Sequence, residues 1–333
     1  MVTIKTIARI AGVSHTTVSR ALNDNPAVKE KTRKKIKKIA LDLGYVPNLS
    51  ARGLVNNRTY TIGVFFSNIN EGTSSSFLTE VIKRFHDELD KEYMLSVNSI
   101  DDLADFNIAI QSRLDGIIVV SQSKRDDAFI DYVQQTSLPL VVLNRSLTVK
   151  DVCNIGFDDY LGAYQAAEYG IRMGHQTFGM IQGIESFHST TERRNGYLDA
   201  INKQNLTIVN EAIVAGKYSS ESGYQAMKQI LLLAKYPTFI FCANDDMAIG
   251  ALKACSELNV RVPQDVSIVG FDNSLFSAYT TPSLTTINKP IDRMARLGMQ
   301  ALGQLMAKAG TKTNDELIKP DLIIRDSVRN LKL

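Results

Sequence analysis

At 333 residues, 44% hydrophobic and 22% charged, the chain has the makeup of an ordinary globular protein with room for two or three domains, and disorder as its main state is excluded. Three cysteines, Cys153, Cys242 and Cys255, are odd in number and widely spaced, which argues against a disulfide framework or a thiolate metal cluster; with no apolar leader and no run near the ~18 apolar residues of a membrane span, the expected location is the cytoplasm. The net charge of +3 hides an asymmetry: residues 1–60 hold 12 Lys and Arg against 3 Asp and Glu, a balance of +9, and the rest holds 26 against 32, a balance of −6, so a basic head suited to a polyanion precedes a mildly acidic body.

The head begins with TIKTIARIAG, which predicts a helix capped by Thr3, with Ile4, Ile7, Ala8 and Ala11 at helical spacing and Gly12 free to turn. Ser14 is a suitable cap for a second helix, HTTVSRAL, whose Val18 and Leu22 point inward and leave His15, Thr16, Ser19 and Arg20 outside. Two helices joined by so short a turn are helix-turn-helix geometry, in which the start of the second helix meets base edges in the major groove. A third helix, EKTRKKIKKIALDLG, places Ile36, Ile39, Ala40 and Leu43 on one face and ends at Gly44. Seven of the ten residues from Lys29 to Lys38 are basic; next to a helix-turn-helix they read as phosphate contacts in preference to a merely solvated face.

TIKTIARIAGVSHTTVSRALN, followed by KTRKKIKKIALDLGYVPNLSARGL, closely resembles the N-terminus of the LacI/GalR family of bacterial transcription regulators, and the resemblance continues through almost the whole chain. It implies a three-helix DNA-binding headpiece in which His15, Thr16 and Arg20 carry most of the base readout. Thr3, Ser14, Ser19, Asn23, Lys31, Thr32, Tyr45 and Asn48 complete the expected DNA-contacting set. YVPNLSARGLV matches the family's hinge, a segment that becomes helical on operator DNA, with Tyr45, Pro47, Asn48, Ala51 and Leu54 in place. Leu54 is the candidate wedge into the minor groove, the competing reading being a linker helix with Leu54 packed on its own domain. One departure is visible: Lys29 stands where Ser or Asp usually caps the third helix, so that helix is expected to fray at its start or to be capped by Asn25.

From Tyr60 onward, eight β-branched runs alternate with amphipathic stretches: TIGVFFS, YMLSVNS, DGIIVVS, LPLVVLNR, VCNIGF, TFGMIQG, TFIFCAND and DVSIVGFDN. The pattern predicts βαβ units, an α/β fold of doubly wound parallel sheets divided into two lobes, with DLIIRD as the last strand. No phosphate-binding glycine motif, Gly-x-Ser-x-Gly, His-Glu-x-x-His or Cys-x-x-Cys appears, so no cofactor, metal site or catalytic residue is expected. Several strands end in polar residues: Ser67 and Asn68, Ser121, Asn144 and Arg145, Asn244 and Asp245, Asp272 and Asn273. In open α/β sheets such ends face one ligand crevice, which makes Ser67, Asn144 and Arg145 candidates for it.

The resemblance implies a periplasmic-binding-protein-like body closing on a small molecule. Arg193, Asn244 and Asp272 fall at positions that hydrogen-bond effector hydroxyls in sugar-responsive members, and Tyr218 where an aromatic lies against the sugar ring. The competing readings are a turn cap for Asp272 and a helix start for Asp245 and Asp246. His175 reads as structural, and the role of His188 is left open.

The division expected is residues 1–46 as headpiece, 47–59 as hinge or linker, and 60–333 as a two-lobed effector-binding and dimerisation domain. Its N-lobe covers about 60–158 and 290–319, its C-lobe about 159–289 and 320–333. The expected function is repression of a carbohydrate operon by a homodimer on a pseudo-palindromic operator, released by a sugar-type inducer. A purine or phosphoprotein corepressor is the alternative and a glycoside-processing enzyme the remote one.

Overall fold

The structure, a computed structural model, describes residues 2–45, 58–110, 114–147, 152–307 and 315–332. The chain forms two compact units, Met1–Thr59 and Tyr60–Leu333.

The first unit holds α1 (Ile4–Ala11), α2 (His15–Leu22) and α3 (Glu30–Asp42). Thr3 and Thr6 form a reciprocal capping box on α1, and the Ser14 hydroxyl accepts the Thr17 amide at 3.1 Å on α2. Gly12, at φ +71°, makes the left-handed turn between them at no steric cost. Ile7, Val18, Ala21 and Ile36 are fully buried where the helices meet, with Leu22, Ile39, Leu43 and Tyr45 half-buried around them. No side chain caps α3. Asn25 does not substitute for Lys29, because its side-chain Oδ1 accepts the Ala27 amide at 3.0 Å and closes a local turn.

The second unit has two sheets. The first is ordered β11 (Glu316–Ile318), β5 (Cys153–Phe157), β4 (Leu140–Leu143), β3 (Gly116–Val120), β1 (Thr61–Phe66) and β2 (Met94–Ser99), all parallel. Alternate residues feed two cores. Val64, Ile118 and Val120 pack under α4 (Ser75–Glu88) and α11 (Ile291–Met306), while Phe65, Ile117 and Val119 meet α5 (Phe106–Ile110) and α6 (Asp127–Gln134). The second sheet runs β12 (Asp321–Ile323), β10 (Thr285–Asn288), β9 (Ser267–Asp272), β8 (Phe239–Cys242), β6 (Thr177–Gln182) and β7 (Thr207–Ala215), with only β12 antiparallel. It is covered by α7 (Asp159–Arg172), α8 (His188–Asn202), α9 (Ser220–Leu231) and α10 (Asp245–Glu257). The chain crosses between the lobes three times, after β5, after β10 at Lys289 and Pro290, and between β11 and β12.

The helices α9 and α10 touch backbone to backbone. A Cβ on Gly250 would run into the Ser220 carbonyl, and one on Gly223 into that of Met247, so each glycine admits the other helix.

His175 is buried, with Nδ1 at 3.0 Å from the Thr238 hydroxyl and Nε2 at 3.1 Å from the Arg329 carbonyl, and burial pulls its pKa down to about 4. The native state therefore binds fewer protons than the unfolded chain between the ordinary value of about 6.5 and about 4, and stability falls as pH drops through that window. Wild-type protein is expected to lose about 2 kcal/mol between pH 7 and pH 5 from this group. His175→Gln should flatten that loss in urea titrations, and an unchanged pH slope would show that another group is responsible.

Candidate functional site

In the headpiece, the residues expected to meet DNA separate by exposure. His15, Thr16, Arg20 and Lys31 are exposed; Ser19, Asn23, Thr32 and Tyr45 are half-buried, Tyr45 against the headpiece core. Thr3 and Ser14 spend their hydroxyls on helix caps, so any DNA contact they make is shared with that task. Asn48, Ala51 and Leu54, together with Pro47, lie outside the described residues.

The lysine-rich stretch is less uniform than its composition suggests. Lys35 donates to the Ala11 carbonyl at 3.0 Å and ties α3 to α1, Lys37 pairs with Asp24 at 2.6 Å, Lys34 pairs with Glu30 at 2.8 Å, and Arg33 donates to the Val28 carbonyl at 3.0 Å. Lys29, Lys31 and Lys38 have no such partner among the described residues, which leaves their charge for an external anion.

In the second unit a cleft lies between the lobes, lined by Gly72, Ser74, Phe77, Gln122, Asn144, Ser189, Arg193, Tyr218, Asn244, Asp272 and Lys289, with about 310 Å³ of unfilled space including its mouth. Only about 30 Å³ of that space is clear of the walls, room for little more than water and far below the ~300 Å³ at which ligand cavities begin, so a ligand enters only with the lobes further apart. The carboxyl ends of the strands supply it: Gln122 follows β3, Asn144 follows β4, Asn244 follows β8, Asp272 ends β9 and Lys289 follows β10. Asn144, Tyr218 and Asp272 hold φ values of +73°, +61° and +112°, conformations that cost about 1–3 kcal/mol each and concentrate where a ligand site must aim its groups.

Arg193, on α8, is 3% exposed. Its Nε and Nη2 donate to Asp159 at 2.8 and 2.7 Å, Nη1 donates to the Ala243 carbonyl, Nη2 lies 3.9 Å from Asp272, and its plane sits 3.7 Å over the Phe271 ring. Burial acts to lower the guanidinium pKa, but Asp159 and Asp272 outweigh it and the net shift is upward. Burial raises the Asp272 pKa to about 6 against the pull of Arg193 and Lys289. Asp245 is raised further, to about 8, by burial and then by Asp272, although it accepts from the Ser274 amide and the Thr286 hydroxyl, both at 2.6 Å. Asp245 thus supports the loop under Asp272, and Asp246, at the start of α10, accepts from Ser76 of the other lobe at 2.7 Å.

Asn244 caps α10 by accepting the Met247 amide at 3.0 Å and donates to the Tyr218 carbonyl at 3.1 Å, so it shapes the cleft as much as it faces it. The Tyr218 ring stacks on Phe187 with centroids 5.8 Å apart, its hydroxyl 2.7 Å from that of Thr190, and it passes over Gly183, where a Cβ would collide with the ring.

Two expected ligand residues are placed elsewhere. The Ser67 hydroxyl donates to Asp126 at 2.6 Å and accepts the Gln122 amide at 2.8 Å, and Arg145 donates to Ser121 at 2.8 Å and pairs with Asp127. Both are buried in a network beneath the cleft, outside its lining, because the strand ends that carry them turn toward Asp126 and Asp127. His188 contributes its amide, which donates to the Gln122 carbonyl at 3.1 Å across the lobes.

Lys289, Gln122, Phe77 and Ser189 line the cleft without having been found from the sequence. The signal for Lys289 was present, a polar residue after a β-branched run, but TTIN is only four residues long.

Residues 3–48 match the family described as bacterial regulatory proteins, lacI family, and residues 167–328 match a periplasmic binding protein-like domain. A protein named "Probable HTH-type transcriptional repressor ExuR", from Bacillus subtilis (strain 168), is 45% identical over 331 residues, 99% of each chain. The chain belongs to the LacI family. Another LacI-family relative, the HTH-type transcriptional repressor PurR of Pectobacterium atrosepticum, is 35% identical over 98% of this chain and 97% of its own. Among solved structures, the lac repressor dimer bound to operator and the anti-inducer ONPF superposes with a TM-score of 0.82 at 27% identity, covering 98% of this chain and 99% of that one. The CelR–cellobiose complex gives 0.72 at 25% identity over 98% and 100%. Membership of the LacI family places the exposed α2 face and the interlobe cleft in one chain as its two candidate sites. No helix among the described residues is long and apolar enough to cross a membrane.

Proposed function

We propose that this LacI-family protein is a transcriptional repressor that binds a pseudo-palindromic operator as a homodimer and is released when a small sugar-type molecule occupies the interlobe cleft. The observation that carries the reading is the cleft itself: strand ends from two sheets bring Asn144, Tyr218 and Asp272 together with Arg193 of α8, hydrogen-bonding groups of mixed charge suited to a polyhydroxy ligand. Relatives named as repressors, the operator-bound lac repressor dimer and the cellobiose complex support it. A homodimer is further supported by the apolar surface of Leu275, Phe276 and Tyr279, exposed by 72%, 62% and 79%.

Base readout is assigned to His15, Thr16 and Arg20, and phosphate contacts to Lys31 and the neighbouring unpaired lysines. Ligand binding changes the closure of the lobes, and that change alters operator affinity by about 5- to 150-fold, the usual range of such coupling. No residue is assigned a catalytic role, and the cytoplasm is the compartment that holds operator DNA.

The test is fluorescence anisotropy on an operator selected from a random library, titrated at fixed salt with sugars, sugar acids and purines. Weakened binding identifies an inducer, and tightened binding makes the protein corepressor-dependent. Failure to select any operator would overturn the reading. On that operator, Arg20→Ala should cost about 1–3 kcal/mol and relax the preference at one base pair. An equal loss on random DNA would reassign Arg20 to the phosphates.

A further inference from the structure

Lys289 differs from every other charged group in the cleft. It is 6% exposed, in the crossing between β10 and α11. Its ammonium donates to the Asn144 side-chain oxygen at 2.8 Å and lies 4.6 Å from the centroids of both Phe77 and Phe157. Among the described residues no carboxylate lies within 4 Å of it, whereas Arg193 holds Asp159 at 2.7 Å. Asp159, Asp272 and Arg193 act on Lys289 only from a distance, and burial still takes its pKa down to about 8. A buried ammonium facing one neutral oxygen and two aromatic faces is under-compensated, because ring faces return less than burying the ion costs.

We propose that the ligand of this cleft is a monosaccharide-sized sugar acid, whose carboxylate seats on the Lys289 ammonium while its hydroxyls meet Asp272 and Arg193. The inference rests on the cleft being the effector site and names the class of molecule that fills it. A carboxylate fits better than a phosphate, because one ammonium balances one negative charge and Asp272, also in the cleft, opposes a second. Among the described residues the Asp272 carboxylate has no partner nearer than Arg193 at 3.9 Å and is left to accept from ligand hydroxyls, so recognition is divided: Lys289 with Asn144 and Phe77 for the acid end, Asp272 with Arg193 for the hydroxyl end.

The test is calorimetric titration of the full chain with glucuronate, galacturonate and gluconate, with glucose and galactose as uncharged counterparts, and with glucose 6-phosphate. Lys289→Gln keeps a donor for Asn144 and removes the charge, and circular dichroism confirms that the variant folds. At least one acid should bind wild type more tightly than its neutral counterpart by about 30-fold or more, and K289Q should lose that preference, its affinity for the acid falling to that for the neutral sugar. Tighter binding of a neutral sugar, or undiminished acid binding by K289Q, would overturn the proposal and leave the effector reading standing. Preference for the phosphate would overturn the carboxylate assignment. A protein that binds its operator but none of these compounds would overturn the proposal together with that reading.

Discussion

Arg193→Ala is expected to destabilise the two-lobed unit by about 3–5 kcal/mol, the usual cost of removing one partner of a buried ion pair, and to abolish release from the operator. The stability loss comes from what remains. Asp159, its side chain 4% exposed, would keep a buried charge whose two close donors had gone, and the Ala243 carbonyl and the Phe271 face would lose their partner as well. The functional loss comes from Nη2, which besides pairing with Asp159 approaches Asp272 in the cleft at 3.9 Å. Asp159→Asn separates the two effects, since it weakens the same pair but leaves Arg193 facing the cleft. Urea denaturation should show both variants well below wild type, and operator anisotropy should show only Arg193→Ala unresponsive to ligand. A change of less than about 1 kcal/mol for Arg193→Ala would mean that the pair is no more than a surface interaction.

The second large effect is one of sign. Replacing a mid-helix glycine with alanine ordinarily stabilises by about 0.5–1 kcal/mol, because glycine loses more freedom on folding. At Gly250 the added methyl meets the Ser220 carbonyl, with the Tyr224 amide nitrogen 2.7 Å from the same point, and backbone cannot rotate aside as a side chain can. Gly250→Ala should therefore cost about 3 kcal/mol, the upper part of the overpacking range. Gly303→Ala, in α11 with nothing within 4 Å of its added carbon among the described residues, should instead stabilise by the ordinary amount. Chemical unfolding of the two variants measures the contrast, and a stabilised Gly250→Ala would show that α9 and α10 can separate without loss.

Much of this architecture was legible in the chain because the residues that build it obey local rules. Thr3, Gly12 and Ser14 mark the helix ends of the headpiece by their chemistry, and the eight β-branched runs became β1–β6, β8 and β9; all of these but β2, a largely exposed edge strand, are buried on both faces and so are written as near-continuous apolar runs. DLIIRD supplied β12.

What was missed follows the same physics in reverse. β7 is an edge strand with a largely exposed, polar-interrupted sequence, TIVNEAIVA, and β10 and β11 have four and three residues, too few to establish a period. Missing β10 concealed Lys289, since a strand end cannot be sought where no strand is seen. Ser67 and Arg145 show the opposite error. A polar residue at a strand end was read as facing ligand, but whether it faces a cleft or the carboxylates beneath depends on partners such as Asp126 and Asp127, which only the folded chain brings near.

The position of Lys289 in the crossing between β10 and α11 has a mechanical meaning. Three such crossings are the covalent joints between the lobes, so any opening has to turn about them, and a side chain rooted in one of them sits at the fulcrum. A ligand that grips a lobe at its rim pulls through a long arm and moves the joint little, whereas one that bears on the fulcrum changes the angle directly, and a displacement too small to notice there is magnified along the full length of the lobe. If closure is sensed at the joint, the strength of the ligand's grip and the size of the movement become separate quantities. Selection can then tune which molecule is recognised at the outer part of the cleft while leaving the stroke of the machine unchanged.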